Sequence, residues 1–211
     1  MRLFLISFYV LCPGPARGAG EGFPRPATIT ATQLAEFETL PEDRKALVEA
    51  ALELASGERW LKYTFGSADP DKGGFDCSGA TYFLLKELSY QPARTSAGQY
   101  LWIRDADHLT KVGVEVADVK DPVFKELMPG DLVFWSGTYV PTDGREVQIT
   151  HVGIYLGTEK KDGRPVMACS TDGRSYRGRQ SNGFGVYDFR VPSKKSRSKL
   201  VAFGTPPGPQ K

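Results

Sequence analysis

Phe75-Asp76-Cys77-Ser78-Gly79-Ala80-Thr81-Tyr82-Phe83-Leu84-Leu85-Lys86-Glu87-Leu88 is the stretch from which the fold is read. It follows a turn-rich loop, Gly66 to Gly74 (GSADPDKGG), whose glycines let the chain turn sharply. Asp76 is a good helix N-cap, because its carboxylate can accept from the free N–H groups of the first turn. Positions 77, 80, 84 and 88 (Cys, Ala, Leu, Leu) recur at i, i+3, i+7 and i+11, so one buried stripe begins with a thiol. A thiol in the first turn meets the positive end of the helix dipole and unsatisfied N–H groups, which favour thiolate. Ordinary thiols titrate near about 8.5, so this setting together with an imidazolium partner is what would make Cys77 nucleophilic near neutrality.

Upstream, Leu40-Pro41-Glu42-Asp43 opens a second helix, with proline suited to its first position and two carboxylates on the positive dipole end. Leu47, Ala50, Ala51 and Leu54 give its apolar face, and Gly57 stops it. Downstream of Met128-Pro129-Gly130 the chain changes character. Asp131 to Trp135, Thr150 to Gly157, Pro165 to Ser170, Gly185 to Arg190 and Leu200 to Gly204 are short β-rich runs between polar turns. Residues 104–128 fit neither pattern. Helices first and an antiparallel sheet after make an α+β domain.

In Thr150-His151-Val152-Gly153-Ile154-Tyr155-Leu156-Gly157, alternation puts His151, Gly153, Tyr155 and Gly157 on one face and Val152, Ile154 and Leu156 on the other. Glycines beside the histidine leave room for another backbone, such as a helix carrying a nucleophile. A helix-start cysteine with a distant strand histidine is the constellation of cysteine hydrolases. The same spacing also fits an inert apolar cysteine and a satisfied surface histidine.

Across 211 residues, Lys plus Arg is 27 and Asp plus Glu is 25, a net charge of +2 that offers nucleic acid no strong basic field. Three cysteines are too few for a disulfide scaffold. The two histidines, His108 and His151, lack zinc-site spacing, so neither metal nor cofactor is expected. Past the N-terminus no apolar run is long enough to span a bilayer. Met1-Arg2, the apolar run Leu3 to Cys12, Pro13-Gly14-Pro15 and the small residues Ala16, Gly18 and Ala19 read as a signal peptide over residues 1–19. Lipidation at Cys12 is the other reading of that run, with Leu11 standing where a small residue is expected. A buried N-terminal strand is the third.

Taken with their neighbours, these residues resemble the NlpC/P60 family of cell-wall cysteine peptidases. The likeness runs through Tyr63-Thr64-Phe65-Gly66, Phe75 to Gly79, Pro92-Ala93-Arg94-Thr95-Ser96-Ala97-Gly98-Gln99, Met128 to Trp135 and Thr150 to Gly157. It covers residues 58–205, with a linker and N-terminal helix over 20–57 and a tail over 206–211. The resemblance implies a papain-like fold, the nucleophile helix packed on an antiparallel sheet. It implies an exported peptidase of the periplasm or cell envelope that hydrolyses amide bonds in peptidoglycan stem peptides, between D-γ-glutamyl and a diamino acid.

Cys77 would be the nucleophile and His151 the base that later protonates the leaving amine. The Cys77 backbone N–H, helped by the Tyr63 hydroxyl, would bind the oxyanion. Asp76 and Ser78 match substrate-contact positions, where Asp76 could attract a stem-peptide amine or serve only as an N-cap. Arg94 and Ser96 match a motif framing the cleft, or belong to ordinary loop structure.

The family places His, Asn or Gln on the next strand to orient the catalytic histidine. Here the matching position is Ala168, which cannot accept a hydrogen bond; Ser170 or Asp172 could substitute, and no third residue is assigned. A catalytically silent peptidoglycan-binding protein, or an amidase or acyltransferase using the same dyad, are the alternatives. Cys169 reads as a buried inert thiol and His108 as a surface residue. Arg174, Arg177 and Arg179, like Lys194, Lys195, Arg197 and Lys199, read as solvated loop charges that could meet an anionic wall polymer. Residues 20–57 are too short for a typical wall-targeting domain, so targeting is expected from the cleft, loops or partners.

Overall fold

The computed structural model describes residues 23–209. The signal peptide and Cys12 readings lie outside the described residues. The helices are α1 (Glu42–Ser56), α2 (Cys77–Glu87) and α3 (Ser96–Asp105). The strands are β1 (Lys62–Tyr63), β2 (Ala68–Asp69), β3 (Gly74–Phe75), β4 (Leu109–Lys111), β5 (Leu132–Ser136), β6 (Ile149–Thr158), β7 (Pro165–Thr171), β8 (Ser175–Tyr176), β9 (Arg179–Gln180), β10 (Gly183–Asp188) and β11 (Lys199–Gly204). Six of them form one sheet in the order β10-β7-β6-β5-β11-β4, with every pairing antiparallel. The chain is therefore α+β in the papain-like sense, a cysteine helix laid on an antiparallel sheet.

α1 begins one residue later than its proline suggests: Pro41 is the N-cap and Gly57 the C-cap. Its buried face is Leu47, Val48, Ala51, Leu52 and Ala55, rotated slightly from the sequence expectation, with Ala50 and Leu54 only partly buried. The Arg25 guanidinium donates to the Ala55, Gly57 and Glu58 carbonyls at the end of this helix, where a cation is favoured. Residues 27–40 belong to the same core. Ala27 bridges Val186, Leu34 bridges Glu159, and Ile29, Leu34, Phe37 and Leu40 are buried.

α2 is capped as its sequence requires, the Asp76 carboxylate accepting from the Gly79 N–H at 2.5 Å. It closes through Ser89, held at φ 64, with the Tyr90 N–H bonding the Leu85 carbonyl at 2.9 Å. The stretch around Ser96 is a helix rather than a loop: Thr95 caps α3 through the Gly98 N–H.

The sheet is covered on both faces. On one, Phe134, Val152, Ile154, Leu156, Ala168 and Val186 pack under α1 and α2. On the other, Trp135, Tyr155, Met167, Cys169, Tyr187 and Phe203 meet Val112, Val116, Val119, Val123, Phe124 and Leu127. Most of the stretch that fits no sequence pattern is thus a third layer. Its apolar residues are spaced irregularly because they lie across a sheet face and not along a helix or strand.

Two glycines fix how the first strands meet α2. Gly74 sits at φ +152 in parallel register with Lys62, and a Cβ there would meet the Lys62 carbonyl. Gly79, in the first turn of α2, lies directly on the Ser67 carbonyl. Gly79→Ala is expected to push α2 from this backbone and cost about 1–3 kcal/mol. Thermal unfolding checks it, and an unchanged midpoint would show the contact to be soft.

Candidate active site

β7 pairs with β10 as far as Thr171↔Gly183, but with β6 only from Ala168↔Ile154 onward. Ahead of Ile154 the two central strands form no ladder, and the N-terminus of α2 enters the opening. Ser170 Oγ donates to the Phe75 carbonyl at 2.7 Å, tying the chain before Cys77 to β7. Ser96 Oγ donates to the Ile149 carbonyl at 3.3 Å, tying α3 to β6. The backbone N–H groups of Val152, Ser78 and Cys77 face the thiol. Cys77 therefore reaches between two strands, beside the residue that follows His151.

Two cavities open here. The smaller, of about 280 Å³, is lined by Cys77, Asp76, Ser78, Arg94, Ser96 and Arg145. The larger, of about 700 Å³, is lined by His151, Thr171, Asp172, Arg174, Arg197 and Ser198. Tyr63, Phe65, Tyr139 and Thr150 line both, so the pair forms a continuous cleft with sulfur in one lobe and imidazole in the other. Phe65 is 78% exposed on that shared wall.

The Asp76 carboxylate is heavily engaged. Arg94 grips it with two bonds, of 3.1 and 2.9 Å, and also donates to Ser78 Oγ at 3.2 Å. Ser78 Oγ in turn donates to Asp76 at 3.2 Å. The capping role read from sequence is therefore present, within an ion pair that sequence does not reveal. Tyr63 stands at the junction of the lobes. Burial, then the nearby Cys77 and Asp76, push its phenol well above the usual tyrosine range, so the hydroxyl is a donor at any physiological pH.

Burial disfavours the charged form of both Cys77 and His151. Burial first and Asp76 second raise the Cys77 thiol to about 11, despite the three N–H groups facing it. Burial first and the Arg174 charge second hold His151 well below the ordinary histidine range. The N–H donors expected to favour thiolate are in place, and desolvation opposes them. Alkylation of Cys77 by iodoacetamide is expected to rise about tenfold per pH unit from neutrality, with no plateau below about pH 9. A plateau under pH 7 would show instead a preformed thiolate–imidazolium pair.

His151 is 6% exposed, against Trp135 at 5.4 Å between ring centroids, and its buried Nε2 has no hydrogen-bond partner among the described residues. Ala168 lies on the helix side of the sheet, in the same cluster as Ile154, whereas His151 packs with Trp135 on the other side. Ser170 is committed to Phe75. Asp172 is exposed and Thr171 buried, and both border the His151 lobe. Cys169 is fully buried in the second layer, its thiol pushed up to about 12 by burial, and both it and Cys77 are free thiols. His108 is exposed.

Two basic residues read as solvated loop charges do otherwise. Arg177 pairs with Glu159 and Asp162, each at 2.8 Å. Arg174 stacks on Trp135, its guanidinium carbon 4.3 Å from the ring centroid. Only a cation–π geometry signals this place, and sequence spacing carries no trace of it.

A family model described as NlpC/P60 family matches residues 60–177. Murein DD-endopeptidase MepH of Escherichia coli (strain K12) is 31% identical over 126 residues, covering 58% of this chain and 39% of that protein. Bifunctional muramidase/DL-endopeptidase CwlT of Bacillus subtilis (strain 168) is 30% identical over 142 residues, covering 67% of this chain and 31% of that protein. The chain thus spans between three- and four-tenths of the length of these relatives. Among solved structures, Mycobacterium tuberculosis RipD, described as a non-catalytic NlpC/p60 domain protein adapted to peptidoglycan binding, aligns at TM-score 0.44 and 16% identity. That alignment covers 77% of this chain and 97% of RipD.

Proposed function

The chain belongs to the NlpC/P60 family, and from that membership we propose that it is an exported cysteine endopeptidase cutting peptidoglycan stem peptides between D-γ-glutamyl and a diamino acid. The observation that carries the reading is the continuous cleft with Cys77 in one lobe and His151 in the other. The catalytic unit spans residues 58–205, preceded by the signal peptide 1–19 and the segment 20–57, and followed by a tail over 206–211. The periplasm or cell envelope is its place of action.

His151 takes the thiol proton as the Cys77 sulfur attacks the scissile carbonyl carbon. The carbonyl oxygen becomes an oxyanion, met by the Cys77 N–H and the Tyr63 hydroxyl. Collapse breaks the C–N bond, and the proton held by His151 passes to the leaving amine. Water then attacks the thioester and gives a proton to His151. The acid departs, and sulfur recovers its proton from the imidazole. Because both partners start neutral, charge separation accompanies attack, and substrate that displaces water from the cleft strengthens every dipole acting on it. On the acyl side, Asp76 and Ser78 offer polar contacts for the stem peptide.

Defined muropeptides incubated with the purified chain, products read by mass, test this directly. Fragments ending in D-glutamate support it, and intact substrate overturns it. One observation favours a second reading, a wall-binding protein that does not cut. Nε2 of His151 is buried and partnerless among the described residues, so no side chain there fixes the ring from behind. Cosedimentation with sacculi that release no peptide would select that reading.

A further inference from the structure

Arg174 is a cation without a counterion at the back of the cleft. It makes no ion pair and donates no side-chain hydrogen bond among the described residues, unlike its neighbours. In the other lobe Arg94 is spent on Asp76 and Arg145 on Asp143. Beside Arg174, Arg197 is spent on the Gly137 and Thr138 carbonyls, and Asp172 is exposed beyond ion-pair reach. The guanidinium carbon lies 4.3 Å from the Trp135 ring centroid, which fixes where the charge sits, and no protein acceptor among the described residues takes its N–H groups, leaving them for a planar anion. Apart from that ring contact, burial opposes a charge here.

The position says which half of a substrate would meet it. A general acid must stand beside the amine that it protonates, so the leaving group lies in the His151 lobe. Arg174 lines that lobe, and its charge acts on the imidazole. We propose that Arg174 is a specificity determinant that binds a free carboxylate on the leaving diamino acid. This rests on the endopeptidase reading and deepens it. A carboxylate on Arg174 would also offset the field that disfavours imidazolium, so the preferred substrate would help its own protonation step.

The test uses the full chain and three stem peptides: unmodified, amidated at the carboxylate of the leaving diamino acid, and amidated at the α-carboxylate of the D-glutamyl residue. Wild type is expected to prefer the unmodified over the first amidated peptide by about 10- to 100-fold in kcat/KM. Arg174→Gln brings that ratio close to one, Arg174→Lys keeps part of it, and amidation on the glutamyl side gives a ratio that neither variant changes. An Arg174→Gln chain retaining the wild-type ratio, or losing activity equally on all three peptides, overturns the proposal. So does a wild type that cuts without preference, which leaves the endopeptidase reading standing. If wild type cuts nothing, calorimetric binding of the same peptides decides. A preference for the free carboxylate that vanishes in Arg174→Gln upholds the anion site while hydrolysis falls, and no preference removes both.

Discussion

Cys77→Ala is expected to lower stem-peptide cleavage by on the order of 10⁴-fold or more, as removal of a covalent nucleophile does elsewhere. The fold is expected to survive, since the side chain is small and the first turn of α2 is held by the Asp76 cap and not by sulfur. A melting temperature close to wild type would therefore make the loss chemical. Cys169, fully buried in the second layer, is in no position to substitute. Full activity in Cys77→Ala would end the thioester mechanism. Mass spectrometry of defined muropeptides measures both outcomes.

Asp76→Ala carries the second large effect, on stability and activity together. The change removes the cap of α2, worth about 1 kcal/mol, and frees Arg94 from its two bonds. A stranded partner of a fully buried pair costs about 3–5 kcal/mol, but the Arg94 side chain is 34% exposed and can turn toward water. A combined loss of about 2–3 kcal/mol is the expected result in chemical denaturation. Asp76→Asn separates the two roles, because asparagine caps as well as aspartate without the charge. It should recover the cap's share while leaving Arg94 without its counterion. An Asn variant as unstable as Ala would mean that the ion pair, and not the cap, holds the first turn.

The α+β architecture, both leading helices and the central strands were legible because their signals are local. Asp76 before an apolar i, i+3, i+7 stripe, and strict alternation from His151 to Gly157, each need only a short window. Residues 112–127 were not, since an irregular layer over a sheet has no period of its own. α3 escaped notice because Thr95 caps a short helix of mixed polarity. In the cleft, Cys77, His151, Tyr63, Asp76 and Ser78 all line one lobe or the other. What stayed hidden was long-range: the grip of Arg94 on Asp76, the Arg174–Trp135 stack, and the burial that raises the thiol instead of lowering it. The alanine at 168 turns out to be no guide to what orients His151, because it sits on the helix side of the sheet, whereas Met167 and Cys169 are the β7 residues in the Trp135 cluster where His151 packs.

If Cys77 is the nucleophile, the parting of β6 and β7 ahead of Ile154 makes its reactivity hostage to where a zipper stops. A variant that let those strands close by two more rungs would satisfy the Val152 amide with a carbonyl, and in doing so evict the sulfur from its slot. Such a protein would be better hydrogen-bonded and inert. The unzipped rungs leave sheet cohesion unmade where β6 and β7 part.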